Sequence, residues 1–309
     1  MGLAIAKFDN NTYIEDERIL LIDGHNIAYI TVFNTLNTDY SDNDEFVLWK
    51  NNFLNRIFDF VVALEPTKIV LVFDVKNSWR YEIFPNYKSA RKNKIDHSKK
   101  PLNKKKFLIA LESLITDIVE YFPSITTIKV DRAEGDDIIA VLSKDVFNKD
   151  NHEVIIVSGD TDLNQLISLR NVKQYDPKKN QYFNVLNPKR ELDIKILKGD
   201  TSDSIPSIKY KVVGIVKAAE ILGMSNGVDT FIDSYSSQLE RDTIRERFEL
   251  NTKLINLDFI PNDVRCSIIE SYKNIKNTPV DGKKLMNYLF KNKLKSVRSR
   301  WNSIAKYLE

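Results

Sequence analysis

A chain of 309 residues, 42% hydrophobic and 29% charged, can bury a sizeable core and has the composition of an ordinary globular protein. A single cysteine, Cys266, excludes an intrachain disulfide, MGLAIAKFDNN has too short an apolar run for a secretory signal, and no run approaches the roughly 20 apolar residues of a membrane span. A non-membrane protein of the cytoplasm is expected. The net charge is only +3, but it is segregated: residues 88–106 and 283–306 are densely basic, whereas carboxylates gather at Asp23, Asp74, 134–137, 160–162 and 200–203. Either basic run alone reads equally as a solvated face. Together with clustered acids they suggest basic arms that hold a polyanion and acids that hold metal ions.

Taken in chain order, 19–22 (ILLI), 68–73 (KIVLVF), 125–130 (ITTIKV) and 153–157 (EVIIV) are short runs rich in branched residues, the pattern of buried parallel strands. Between the first two, Phe46, Trp49, Phe53, Ile57, Val61 and Leu64 recur at helical spacing over 43–64, after a capping-box variant at Ser41 and Asp44. The same spacing recurs in Phe107, Leu111, Leu114, Ile118 and Tyr121 over 102–121, and helices are also expected at 135–148 and 161–169. Residues 172–186 read as a hairpin around Asp176-Pro177, and from 188 onward the pattern is mostly helical. The fold class is therefore α/β, a central mostly parallel sheet with helices on both faces and a helical C-terminal region.

The acids fall where such a sheet keeps its ligands, at the carboxyl ends of the strands. Asp23 follows ILLI, Asp74 ends KIVLVF, Glu134, Asp136 and Asp137 open the helix after ITTIKV, and Asp160 and Asp162 follow EVIIVSG. Singly, each also fits a turn, a helix cap or a favourable first-turn charge. Held at one sheet edge they would repel and raise one another's pKa, a penalty that a divalent cation with a taste for hard oxygen ligands removes. There is no Cys/His metal spacing, no P-loop and no G-x-S-x-G elbow, which sets those chemistries aside. His25, His97 and His152 suggest no site of their own.

The motifs LLIDGHN (20–26), VLVFDVKNSWRYEIFPNYKSARK (70–92), AEGDDIIAVL (133–142), VSGDTDLNQLI (157–167) and LKGDTSDSIPSI (197–208) occur in the order and spacing of a known family. On them the chain resembles the 5′ nuclease superfamily of flap endonucleases and 5′-3′ exonucleases, and over most of its length its phage ribonuclease H branch. The resemblance implies a two-ion magnesium site, manganese substituting, with Asp74, Glu134, Asp136 and Asp160 around one ion. Asp162, Asp200 and Asp203 would surround the other, with Asp23 and Asp137 close by. It makes 79–106 a basic helical arch between the second and third strands. There Lys88 and Arg91 would contact the scissile phosphate, Arg80 a neighbouring phosphate, and Lys99 and Lys100 the backbone. Tyr87 would either stack on a base or pack beneath the arch.

Residues 199–222 resemble the family's helix–three-turn–helix motif, which implies a duplex grip through Gly214 and Lys217. Its usual G-x-G-x-K is reduced to Gly214-Ile215-Val216-Lys217, which weighs against the potassium ion (K+) that the family holds there. The resemblance divides the chain into a catalytic domain at 1–187 and a helical region at 188–309. It implies a monomer that removes RNA primers and flaps in DNA replication. The implied activities are 5′-3′ exonuclease, flap endonuclease and RNase H, with DNA and RNA–DNA hybrids as partners alongside a sliding clamp and a single-strand-binding protein. An Asn-, Lys- and Ile-rich composition fits an AT-rich genome such as a phage's. Two rivals are a non-catalytic branch-binding protein, which would have shed carboxylates, and a PIN-like RNA nuclease, which would lack the arch and the duplex motif.

Overall fold

The computed structural model describes residues 17–36, 45–90, 102–209 and 211–308. Strand β1 (Glu17–Asp23) runs into α1 (Gly24–Leu36), and α2 (Glu45–Leu64) leads to β2 (Lys68–Val72). The short α3 (Arg80–Ile83) and the long α4 (Lys104–Tyr121) precede β3 (Thr126–Ile128). Next come α5 (Gly135–Val141), β4 (His152–Val157), a 3₁₀ segment (Thr161–Ser168), β5 (Val172–Asp176) and β6 (Gln181–Tyr182).

The six strands form one sheet in the order β3-β2-β1-β4-β5-β6, parallel except for β6. The four expected parallel strands are all present. The 172–186 hairpin is present too, and its first strand adds a fifth parallel member by pairing with β4 from Val154↔Val172 to Val157↔Tyr175. β1 is central, with β2 on one side and β4 on the other, so the strand order reverses there and opens a crevice at the carboxyl ends.

Alternate residues of β1 enter opposite cores. Leu20 and Ile22 pack with α1, α2 and α4 through Ile27, Trp49, Phe53 and Phe107. Ile19 and Leu21 pack with Ile138, Ile139 and Leu142 on the other face. Burial on both faces is why β1 reads as an unbroken apolar run.

Three elements depart from expectation. Helix α1 lacks the polar stripe that makes a helix legible, because seven of its residues, including Gly24, Ile27, Thr31 and Leu36, are buried. The helix expected over 135–148 stops being α-helical at Val141 and continues as a π-turn, Leu142–Val146. The helix expected at 161–169 is a 3₁₀ segment. There the Gln165 amide donates to the Asp162 carbonyl (2.8 Å) while its oxygen accepts from the Leu257 amide (2.9 Å), so a tertiary anchor holds the tighter turn. The Ser41 and Asp44 cap lies outside the described residues, as does most of the basic segment expected to form the arch.

From 188 the chain is helical: α6 (Pro188–Lys198), α7 (Ile215–Ile221), α8 (Gly227–Asp233), α9 (Gln238–Ile255), α10 (Asn262–Asn274), α11 (Gly282–Lys291), α12 (Lys295–Ser299) and α13 (Trp301–Ile304). The α7–α9 group has a small core of its own around Leu197, Ile221 and Phe231. Helix α10 inserts Val264 and Ile268 into the second sheet core, and α11–α13 add Leu285, Leu289, Val297 and Ile304 to the first. No helix among the described residues is long and apolar enough to cross a membrane.

Candidate active site at the carboxyl edge of the sheet

Asp23 is the last residue of β1, and it is tied down on both oxygens: Oδ1 accepts from the Asn26 amide and Oδ2 from the Ser158 hydroxyl, each at 2.9 Å. Asp74 follows β2 and accepts from the Gly135 amide. A Cβ at Gly135 would lie 2.9 Å from Asp74 Oδ1, so a larger residue there would displace the Asp74 carboxylate. His25 Nδ1 accepts the Asp74 amide at 3.0 Å, which fixes that nitrogen without a proton, and burial lowers the imidazole's pKa. Asp160 caps the 3₁₀ segment by accepting from the Asp162 amide at 2.9 Å.

Asp200 and Asp203 arrive from the C-terminal region. Gly199, at φ 73°, ends α6 in the left-handed region, where any Cβ would strike the Ile205 and Pro206 backbone. The chain then closes a small loop, with reciprocal 2.8 Å backbone bonds between Asp200 and Ile205. The segment at 88–90 is fastened to that loop: the Lys88 amide donates to the Asp203 carbonyl (2.8 Å) and the Ala90 amide to the Ser204 hydroxyl (2.9 Å). Lys88 itself sits at φ 55°, a conformation costly for a lysine and stabilised here by these contacts.

The result is one cleft of about 540 Å³ lined by Asp23, Asp74, Glu134, Asp136, Asp160, Asp162, Asp200 and Asp203, with Lys88 also on its wall. Eight of the nine carboxylates expected at the site thus share one cavity. Burial, followed by repulsion from Asp74, pushes the Asp23 carboxyl up to about 7. Burial, Asp160 and Asp23 hold Asp136 well above the usual carboxylate range, and it has no hydrogen-bond or ionic partner among the described residues. Burial also raises Asp162, against the pull of Lys195. At Asp200 burial is outweighed by hydrogen bonds from Lys195 and Ser202, which lower its carboxyl to about 2. Among the described residues no three of these groups converge into a ready-made ligand set. Several are instead engaged by the chain's own cations and amides.

The remaining expected residues lie differently. Asp137 is wholly buried outside the cleft, bidentate to Arg80 (2.8 and 2.9 Å) and accepting from Trp79 Nε1 (3.1 Å) and the Glu134 amide (3.0 Å). Arg80 is 3% exposed, and it also donates to the Leu254 carbonyl (2.9 Å) and Glu134 (3.1 Å). Its guanidinium is therefore consumed inside the protein, with no face turned to a phosphate. Tyr87 takes the packing alternative: it is buried against Tyr81, and its hydroxyl donates to Glu134 (2.8 Å) and contacts Asp203 (3.1 Å). Lys88 Nζ forms an ion pair with Glu134. Arg91, Lys99 and Lys100 lie outside the described residues.

Gly214 is the exposed, extended cap of α7, with open space where a Cβ would project. Lys217 is partly exposed and pairs with Glu220 at 3.0 Å, away from the cleft.

Sequence reasoning missed Lys195. From α6 it pairs with Asp162 and, at 2.8 Å, with Asp200, so it joins the acid from the sheet to the acid from the C-terminal loop. Burial opposes its charge, but Asp162 and then Asp200 hold its pKa above the usual lysine value. Nothing in PKRELDIKILK distinguishes this lysine from its neighbours, and only the placement of α6 does.

Residues 18–193 match the family of 5′-3′ exonuclease N-terminal resolvase-like domains, and residues 188–306 match the C-terminal region of T4 RNase H. The ribonuclease H of Enterobacteria phage T4 is 28% identical over 276 residues, which cover 85% of this chain and 88% of that protein. The DNA polymerase I of Bacillus caldotenax is 27% identical over 251 residues, 76% of this chain but 27% of the polymerase. In fold, the chain is similar to the T5 5′-exonuclease with bound zinc (TM-score 0.65, 17% identity, covering 84% of this chain and 99% of that one). A DNA and metal-ion complex of bacteriophage T5 D15 flap endonuclease gives a TM-score of 0.64 at 16% identity, over 84% and 98% of the two chains. The chain belongs to the 5′ nuclease superfamily of 5′-3′ exonucleases, flap endonucleases and phage ribonucleases H, and is a phosphodiester hydrolase of that superfamily.

Proposed function

We propose that the chain is a magnesium-dependent, structure-specific 5′ nuclease that removes RNA primers and flaps during DNA replication by 5′-3′ exonuclease, flap endonuclease and RNase H action. The observation that carries this reading is that eight carboxylates, from four strand or helix ends and one C-terminal loop, line a single cleft walled by Lys88. Hard oxygen donors so buried, and then so crowded, that Asp23 and Asp136 resist ionisation fit divalent cations, and Asp74, Glu134, Asp136 and Asp160 would hold one ion while Asp162, Asp200 and Asp203 hold another. Bound there, the ions would supply a water activated for in-line attack and offset charge on the leaving 3′-oxygen.

The chain's own residues frame that reaction. Lys88, anchored through its backbone to the Asp203 carbonyl, brings a cation to the cleft wall, where it stabilises charge growing on the phosphate. Tyr87 and Arg80 fix Glu134 from beneath. Lys195 orients Asp162 and Asp200 toward one another. Residues 79–106 would form the arch over the 5′ strand, and 199–222 the duplex grip, with Gly214 allowing close backbone approach and Lys217 meeting a phosphate. A potassium ion is not part of the proposal. The division at 187/188, a monomeric state, and recruitment by a sliding clamp or single-strand-binding protein belong to the same reading.

The test is cleavage of matched flap, nick, gap and RNA–DNA hybrid substrates with and without magnesium. Metal-dependent cleavage near the 5′ end of branched or hybrid substrates supports the proposal. Binding of branched DNA without cleavage at any metal concentration would assign the chain to a branch-binding role instead.

A further inference from the structure

The second basic run has no part in the cleft. Residues 282–308 contain eight lysines and arginines and no carboxylate. Their helices α11–α13 pack outside α2 and α4: Tyr288 stacks on Tyr121 at 4.0 Å, and Ser296 accepts from Asn51 and Asn55 of α2. A helical layer therefore separates this surface from the sheet. Two of the eight cations are neutralised internally, Arg300 by Asp59 (2.8 Å) and Lys284 by Glu120 (3.3 Å).

The turn joining α11 to α12 is different. Lys291, Lys293 and Lys295 are exposed there and have no ionic partner among the described residues. The turn is closed by the Lys293 amide on the Phe290 carbonyl (3.1 Å) and the Leu294 amide on the Leu289 carbonyl (2.9 Å). It places Lys293 at φ 57°, a left-handed conformation a solvated lysine does not need. In its midst Phe290 is 72% exposed, although its helix neighbours Tyr288 and Leu289 are buried, and the Arg298 guanidinium lies 5.6 Å from its ring centroid.

An exposed aromatic ring framed by unpaired cations matches a ligand that offers both phosphates and unpaired bases. Duplex DNA offers only the first. We infer that the α11–α12 turn is a second nucleic-acid contact, which binds a single-stranded segment by stacking a base on Phe290 and pairing backbone phosphates with Lys291, Lys293 and Lys295. The inference does not require the cleavage reaction, because binding is measurable with the metal chelated.

The experiment measures, in EDTA, the affinity of the full chain for an oligothymidylate of about 30 nucleotides, roughly twice a typical single-strand site, across a salt series. Phe290→Ala should lower affinity about 5- to 100-fold and leave the salt slope unchanged, since stacking releases no counterions. A triple variant, Lys291→Gln, Lys293→Gln and Lys295→Gln, should reduce the slope of log affinity against log salt by about 2, from roughly 0.7 per neutralised phosphate. All four side chains are exposed, and near-unchanged circular dichroism and melting would separate the result from misfolding. An unaltered slope with a neutral Phe290→Ala overturns the contact. Losses confined to duplex probes overturn the single-strand assignment. Unaltered oligothymidylate binding combined with loss of binding to an acidic peptide would give the surface to a protein partner instead.

Discussion

Arg80 and Asp137 form a bidentate ion pair beneath the cleft, with Nη2 2.8 Å from Oδ1 and Nη1 2.9 Å from Oδ2, and both side chains almost wholly shielded from solvent. Neither group is free for substrate or metal. Together they tie α3 to the start of α5, and through Leu254 to α9. Arg80→Met should cost about 3–5 kcal/mol of stability, because it strands a buried carboxylate. The double change Arg80→Met with Asp137→Leu should cost less than the sum of the singles, as measured by denaturant unfolding. Additive losses would show that the two side chains act independently.

Asp136 is a cleft carboxylate with no hydrogen-bond or ionic partner among the described residues, so Asp136→Asn should abolish cleavage while leaving DNA affinity in EDTA within a few-fold of the parent. The same substitution should shrink the rise in Tm that magnesium produces, a rise set by RT ln(1 + [L]/Kd) and worth about 2.7 kcal/mol at a hundredfold excess over Kd. Asp160→Asn should behave alike. Near-normal turnover in both variants would remove these residues from the proposed metal site.

Lys88 meets the cleft with its side chain in an ion pair with Glu134 and its backbone pinned to the Asp203 loop. Lys88→Ala should reduce single-turnover cleavage by roughly 10²–10³-fold, the scale of losing one positioned electrostatic contact, with a much smaller effect on affinity. If saturating enzyme restored the full rate, Lys88 would be a binding handle and not part of the chemistry.

The Asp23 carboxyl is raised from 3.8 to about 7, chiefly by burial and then by Asp74. A carboxyl that titrates higher when folded than when unfolded means that the native state binds more protons in between. Its contribution to stability is therefore present below about pH 4 and lost as pH rises through 7. In EDTA, Asp23→Asn should flatten the fall in Tm between these limits and raise Tm at pH 8. Magnesium should flatten the same region in the parent protein. A Tm that rises from pH 5 to 8 equally in parent and variant would contradict the assignment.

Much of this was legible in the sequence. Apolar runs of branched residues give the strands, because strands buried on both faces need no polar alternation. An acid directly after such a run must sit at the carboxyl edge, so Asp23, Asp74 and Asp160 could be brought together without coordinates. Helix α1 was invisible for the converse reason, since its buried threonines and valine leave no polar stripe.

What the sequence alone determined was the set of acids and the sheet edge that gathers them, since strand positions and the alternation with helices that makes the sheet parallel follow from local patterning. Which of those acids reach the cleft was decided only by tertiary packing. Asp136 and Asp137 are neighbours on α5, and one helical step of roughly 100° turns the first into the cleft and the second onto Arg80. Lys195 enters the site solely because α6 docks between the 3₁₀ segment and the Asp200 loop. Charge is carried by residue identity, but its direction is set by contacts between elements far apart in the chain, and no local pattern encodes those.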